Sequence, residues 1–124
     1  MGSDARIGVI GATGAVGTVT LQLLRERGYR NIRAFASSRS AGKRLSGIVV
    51  EEATPQTLGA GDLDVCLFSV GTALSRELVP HAVAGGAIAI DKSSAYRLEP
   101  GIPLVVPEVN PGRALEHELS LIHI

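Results

Sequence analysis

An unbroken apolar run, Ile7-Gly8-Val9-Ile10, passes directly into Gly11-Ala12-Thr13-Gly14-Ala15-Val16-Gly17, and apolar residues then recur at helical spacing. The run predicts a short buried strand. Val16, Val19, Leu21, Leu23 and Leu24 predict an amphipathic helix with these residues inward and Gln22, Arg25, Glu26 and Arg27 outward. Arg25 and Arg27 fall in its last turn, where positive charge suits the helix dipole, and Gly28 predicts its C-terminal cap. Ile32-Arg33-Ala34-Phe35-Ala36 predicts a second strand, so residues 6–36 have the length of one strand–helix–strand unit.

The rhythm repeats further along. Gly47-Ile48-Val49-Val50 is a short apolar run, and Thr54-Pro55 has the form of an N-cap followed by proline at the first helical position. Asp64-Val65-Cys66-Leu67-Phe68-Ser69 predicts a buried strand. Gly71-Thr72, with Thr72 the candidate N-cap, leads into a helix over residues 73–84 with Leu74, Leu78, Ala82 and Val83 inward. Pro80 predicts a bend or a break there, because it has no N–H to donate. Gly85-Gly86 ends that helix, Ala87-Ile88-Ala89-Ile90 predicts a strand ending at Asp91, and Leu104-Val105-Val106 predicts another. Strands alternating with helices predict an α/β fold: a doubly wound, mostly parallel sheet of the Rossmann dinucleotide-binding type.

The three glycines carry the first chemistry. Gly11 allows the sharp turn, Gly14 lets phosphate oxygens approach the main chain, and Gly17 lets the helix pack close to the strand. A backbone turned this way presents bare amides and a helix N-terminus to a pyrophosphate. A glycine triplet alone is a weak signal, since structural turns also use glycine; here a strand precedes it and a helix follows. The end of the second strand then selects the cofactor. An acid at that point suits the ribose 2′-hydroxyl of NAD. None occurs between Glu26 and Glu51; Ser37-Ser38-Arg39-Ser40 and Gly42-Lys43-Arg44 stand there instead. Hydroxyls and a guanidinium suit a 2′-phosphate. A solvated basic loop is the alternative, and position favours NADP.

Composition narrows the classes. The 124 residues make one domain with a real core, and the formal net charge is zero with scattered Lys and Arg, which implies no nucleic-acid or acidic-membrane partner. There is no apolar run of membrane-spanning length and no secretory or myristoylation signal, so a cytoplasmic setting is expected. The single cysteine, Cys66, excludes an internal disulfide and is expected to be a small core residue inside its strand. No set of residues has metal-ligand spacing. His81 is expected on a helix surface or at an interface. Asp91-Lys92-Ser93-Ser94-Ala95-Tyr96-Arg97, at a strand end, is either an anion pocket or a serine-rich turn with exposed cations.

Gly11 to Gly17, Ser37 to Lys43, Ser69 to Thr72, Asp91 to Arg97 and Pro103-Leu104-Val105-Val106-Pro107-Glu108-Val109-Asn110-Pro111 stand in the order and spacing of the aspartate-semialdehyde dehydrogenase family. Over roughly residues 5–115 the chain resembles that family's N-terminal NADP-binding domain. The resemblance implies reduction of L-aspartyl 4-phosphate by NADPH to aspartate semialdehyde and phosphate, in lysine, methionine and threonine biosynthesis. It implies that Thr13, Gly14, Ala15 and Val16 line the cofactor phosphates, that Ser38, Arg39 and Ser40 meet the 2′-phosphate, and that Ser69 and Gly71 lie near the adenosine or nicotinamide portions. Lys92, Ser93, Ser94 and Arg97 would hold the substrate phosphate, and the complete enzyme would be a homodimer or homotetramer.

The chain departs from the family in places. Lys92 replaces the more usual Asn, and Val70-Gly71-Thr72 replaces Ala-Gly-Gly. The family's Asn-Cys nucleophile segment and its catalytic and dimerisation domain are not found, so no catalytic residue is assigned. Residues 1–115 are expected to form the NADP-binding domain. Residues 116–124 do not resemble the family, and from Leu119 onward they are similar to a translated sequencing-library adapter, which predicts a truncation. A free-standing NADP-binding sensor or regulator, and the related N-acetyl-glutamyl-phosphate reductase, are the alternatives. The segments from Ser37 and from Asp91 favour the aspartate enzyme over the latter.

Overall fold

The computed structural model describes residues 4–91 and the backbone of residues 121–123. Along the chain run β1 (Arg6–Ile10), α1 (Ala15–Glu26), β2 (Asn31–Ala36), β3 (Arg44–Leu45), β4 (Ile48–Glu52), α2 (Pro55–Leu58), β5 (Val65–Phe68), α3 (Thr72–Ala84), β6 (Ile88–Asp91) and β7 (Leu121–His123). They build one sheet in the order β3-β4-β2-β1-β5-β6-β7. Every neighbouring pair is parallel except the β3–β4 hairpin. The winding direction reverses between β1 and β5, which makes this the doubly wound sheet expected from the alternating pattern.

β1 shows why the apolar run is unbroken. It is sandwiched between β2 (Ile7↔Ile32) and β5 (Ile7↔Val65), with both of its faces covered. Successive residues serve opposite cores. Val9 and Ala34 join Ala12, Leu21 and Val50 on the α1 side, while Ile10 and Phe35 join Leu58, Phe68, Leu78, Val79 and Ala82 on the α2–α3 side.

The helix faces only partly match the periodicity. In α1 the buried line is Gly17 and Leu21, with Leu24 half-buried, whereas Val16, Val19 and Leu23 are 51, 54 and 45% exposed. The inward stripe expected from the apolar residues is therefore misplaced. The helix rests on a residue with no side chain, so its true contact line contributes nothing to the hydrophobic pattern at Gly17. At its C-terminal end the cap is Arg27, one place earlier than expected, and Gly28 follows it. Gly28 N donates to Arg25 O and Tyr29 N to Leu24 O, and Leu24 and Tyr29 pack together onto the core.

α2 begins as Thr54-Pro55 predicts. Thr54 Oγ1 accepts from the Thr57 amide at 3.1 Å, and Thr57 Oγ1 accepts from the Thr54 amide at 2.9 Å. In α3, Leu78 and Ala82 are buried and Val83 half-buried as expected. Thr72 is not the cap: Gly71 holds the extended cap conformation and Thr72 is the first helical residue. Leu74 is 42% exposed, and Ser75 and Val79 are buried instead. The helix also runs through Pro80 without a break. Pro80 lies on the exposed side between buried Val79 and Ala82, and packing of those neighbours outweighs the lost hydrogen bond.

The strand expected at residues 104–106 and the boundary expected after residue 115 lie outside the described residues. Within 116–124 the backbone forms β7, parallel to β6 with Ala89 opposite Leu121, a strand the apolar pattern does not predict. No helix among the described residues is long and apolar enough to cross a membrane.

Candidate dinucleotide site

The loops after β1, β2 and β5 come together at the carboxyl edge of the sheet, around the β1–β5 reversal. Gly11 takes φ +87, and its amide and that of Ala12 both donate to the Phe35 carbonyl, at 2.9 and 3.1 Å. On the other side the Ser69 amide donates to the Ile10 carbonyl at 2.8 Å, so the turn is fastened to both neighbouring strands. A Cβ at Gly11 would overlap the Ser69 carbonyl, and one at Gly17 would overlap the Gly11 carbonyl. Both glycines are needed for the reasons the motif suggests.

Gly14 caps α1 without a side chain, and no acid lies in the first turn. The first amides of a helix have no partner within it. With the helix dipole, amides in such a position favour an anion. Thr18 does not cap them; its hydroxyl donates back to the carbonyls of Gly14 (2.8 Å) and Ala12 (3.2 Å) and stiffens the loop. Thr13, Gly14, Ala15 and Val16 are all exposed around this N-terminus, as a phosphate cradle requires.

Beyond β2, Ser37, Ser38 and Arg39 are exposed and Ser40 is half-buried. No carboxylate among the described residues pairs with Arg39. Arg33, earlier on the same strand, is already spent. It donates to Glu51 through Nε and Nη2 at 2.9 and 2.8 Å and to Asp62 through Nη1 at 2.8 Å, and these bonds raise its pKa. The parallel register also brings exposed Glu52 beside Ala36, so an acid stands next to the β2 end in space although none follows it in sequence. Beyond β5, half-buried Ser69 and exposed Gly71 lead to a second glycine-capped helix whose first turn carries no acid.

Between these loops opens a cleft of about 300 Å³. Ile10, Gly11 and Thr13 form one wall, Ala36, Ser37 and Ala53 another, and Val70 and Leu74 the third. Ile10, Ala36, Ala53 and Leu74 were not among the expected site residues, while Ser37 and Val70 fall within segments expected at the strand ends. Leu74 explains its own misassignment: it sits in the first turn of α3, past the strand ends, and lines the cleft instead of the core. Two larger clefts, of about 400 and 440 Å³, open among Arg25, Tyr29 and Arg30 and among Arg6, Arg30 and Arg33. They border the amino-terminal ends of β1 and β2, whereas open α/β sheets bind ligands beyond the carboxyl ends. The smaller cleft is the candidate site.

Cys66 is fully buried, and burial pushes its thiol up to about 12. It is the core residue expected, and no thiolate. His81 is exposed on α3, also as expected. Lys92, Ser93, Ser94 and Arg97 lie outside the described residues.

A turn with these three glycines at the reversal of a parallel sheet has the geometry of a dinucleotide-binding turn, and residues 6–117 match the family model described as semialdehyde dehydrogenase, NAD binding domain. The chain belongs to the semialdehyde dehydrogenase family. It is 49% identical over 108 residues to an aspartate-semialdehyde dehydrogenase of Streptomyces akiyoshiensis, covering 86% of this chain and 31% of that protein. The fold is similar to that of aspartate semialdehyde dehydrogenase II from Vibrio cholerae complexed with ASA, at 36% identity and a TM-score of 0.84, over 97% of this chain and 41% of that one. It is also similar to aspartate semialdehyde dehydrogenase with NADP from Candida albicans, at 26% identity and a TM-score of 0.78, over 98% and 42% of the two chains. The chain thus spans about a third of the length of the curated relative. What it carries of the family is the NAD(P)-binding N-terminal domain.

Proposed function

We propose that this domain prefers NADP to NAD and is the cofactor-binding part of an aspartate-semialdehyde dehydrogenase, which reduces L-aspartyl 4-phosphate to aspartate semialdehyde and phosphate. The observation that carries the cofactor reading is Arg39, exposed and without a carboxylate partner among the described residues, between Ser38 and Ser40 at the β2 edge. A guanidinium donates two parallel hydrogen bonds to a phosphate, and the serine hydroxyls add donors. The amides at the start of α1 take the pyrophosphate. The cleft between Ala36, Ala53, Val70 and Leu74 accepts the flat apolar face of the adenine. Ser69 and Gly71, at the β5 edge, border the rest of the dinucleotide.

The substrate half of the proposal rests on the likeness to the Streptomyces protein and to the Vibrio structure holding ASA. In that reading Lys92, Ser93, Ser94 and Arg97, which follow β6 in the chain, hold the substrate phosphate. Bound NADPH supplies a hydride; the residues of this chain bind and orient it. Cys66, the one cysteine of the sequence, is buried and protonated, so this chain by itself binds cofactor without turnover.

Titration of NADPH and NADH into the purified chain tests the reading. A charge-assisted hydrogen bond contributes about 1.5–3 kcal/mol, less when solvated, so NADPH should bind roughly tenfold tighter or more. Arg39→Ala should erase that difference and leave NADH binding alone. Equal affinities in the parent chain, or an unchanged preference in Arg39→Ala, would remove Arg39 from the site.

A further inference from the structure

Gly42 lies in the loop that carries Arg39 but touches neither the cleft nor the glycine turn, and its backbone does two jobs at once. At φ +91 it is the third residue of the turn closed by the Lys43 amide on the Ser40 carbonyl (3.1 Å), a place that demands positive φ. Its own amide donates to the Val50 carbonyl at 2.8 Å, while the Val50 amide donates to the Lys43 carbonyl at 2.7 Å. Two residues, Gly42 and Lys43, therefore face one residue, Val50. That is a β-bulge of the kind whose first residue is a glycine of positive φ, a device that re-aims the chain beside functional sites.

The bulge is anchored in the core. Val50 is buried and sits in register with Ala34 of β2, two residues before that strand ends. The loop of residues 37–43 thus leaves the sheet after Ala36 and is fastened back onto the neighbouring strand. A second turn inside it, from the Ser40 amide to the Ser37 carbonyl (3.0 Å), encloses Ser38 and Arg39. The direction in which Arg39 is presented is set by two consecutive turns, and the later of them, from Ser40 to Lys43, closes only through Gly42.

We propose that Gly42 is a positioning residue for cofactor specificity: its bulge aims Ser38 and Arg39 at the 2′-phosphate, so the choice between NADP and NAD is set partly by a residue that contacts neither. This rests on the assignment of Arg39 to the 2′-phosphate. A Cβ at Gly42 meets nothing within 4 Å, so Gly42→Ala adds no clash and acts through φ alone. Gly42→Asn keeps much of the tolerance for positive φ and serves as the rescue.

The experiment is titration of the parent chain, Gly42→Ala and Gly42→Asn with NADPH and NADH. The ratio of the two affinities should fall from roughly tenfold to within about threefold in Gly42→Ala, with NADH binding unchanged, and should recover in Gly42→Asn. NADH binding reports that the glycine turn and the fold are intact in each variant. A parent chain without preference overturns the Arg39 assignment and this proposal together. A parent that prefers NADPH, with the ratio unchanged in Gly42→Ala or with both affinities lost in proportion, overturns the role of Gly42 while the Arg39 assignment stands.

Discussion

Gly17 and Gly14 stand three residues apart in the same motif, yet an added methyl group meets different surroundings at each. At Gly17 a Cβ would sit 2.8 Å from Ala12 Cα and from the Gly11 carbonyl carbon. Carbon atoms settle at about 3.5–4.0 Å, so α1 must retreat from the turn by roughly 1 Å. The atoms in the way are main chain, and the amides of Gly11 and Ala12 tie them to Phe35. Overpacking this close to fixed main chain falls in the upper part of the usual range, about 2–3 kcal/mol, and alanine recovers about 1 kcal/mol of helix propensity over glycine. Gly17→Ala should therefore destabilise by about 1–2 kcal/mol, a fall in Tm of roughly 3–10 °C. At Gly14 the nearest atom, the Gly11 carbonyl oxygen, is 3.5 Å from a Cβ, and φ is −74, so alanine fits. Gly14→Ala should leave Tm within about 3 °C, because only a modest capping preference changes. Its methyl group stands where a phosphate oxygen would approach, and NADPH affinity should fall roughly tenfold or more. Thermal unfolding by circular dichroism with fluorescence titration measures both quantities. A Gly17→Ala chain as stable as its parent would refute the close approach of helix to strand. Undiminished NADPH binding by Gly14→Ala would move the pyrophosphate away from this turn.

Cys66 should resist a thiol-specific chromogenic reagent in the folded chain at pH 8 and react fully once unfolded; fast reaction of the folded chain would contradict its place in the core. Its raised pKa also has a stability signature: below the unfolded thiol value nothing is lost, and as pH rises toward about 12 the unfolded state gains by ionising first, so Cys66→Ala should blunt alkaline unfolding. Asp64 accepts from the Arg6 amide and guanidinium at 2.8 and 2.9 Å, which lowers its pKa below 3.8. Its contribution is present above the unfolded carboxyl value and disappears as pH falls through the folded one, so Tm curves of the parent and Asp64→Asn should differ at pH 7 and converge in acid. Glu52, in register beside Ala36, places a negative charge one strand away from Arg39. Glu52→Gln should raise NADPH affinity by about twofold to fivefold, the scale of an exposed charge interaction, with NADH little changed; an equal rise for both cofactors would show no effect specific to the 2′-phosphate.

What the sequence makes legible here is whatever depends on neighbours along the chain. The run from Ile7 to Ile10 is apolar because β1 is covered on both faces, and Thr54-Pro55 starts a helix because its capping partner is Thr57. The glycine turn belongs to the same class, since the strand before it and the helix after it supply its context. The α1 stripe fails for the converse reason. Its contact line passes through Gly17, and periodicity registers apolar side chains, not the lack of one, so Val16, Val19 and Leu23 read as inward when they are half exposed.

The cleft was beyond reach for a related reason. Ala53 lines it because β4 is the strand beside β2, and the Ala53 amide bonds to the Ala36 carbonyl at 2.8 Å. Val70 and Leu74 line it because β5, not β2, lies on the other side of β1. Such residues are ordinary in composition, and only strand order identifies them. Glu52 shows the cost of reading a specificity rule along the chain alone. The search for an acid after the second strand returns none, while the register sets one against its last residue. Whether that carboxylate weakens NADP selectivity depends on where the bulge at Gly42 points Arg39. In the proposed reading, selectivity at this edge is a property of two strands and the loop joining them, and substitutions at Arg39, Gly42 and Glu52 should be non-additive wherever their effects meet at the 2′-phosphate.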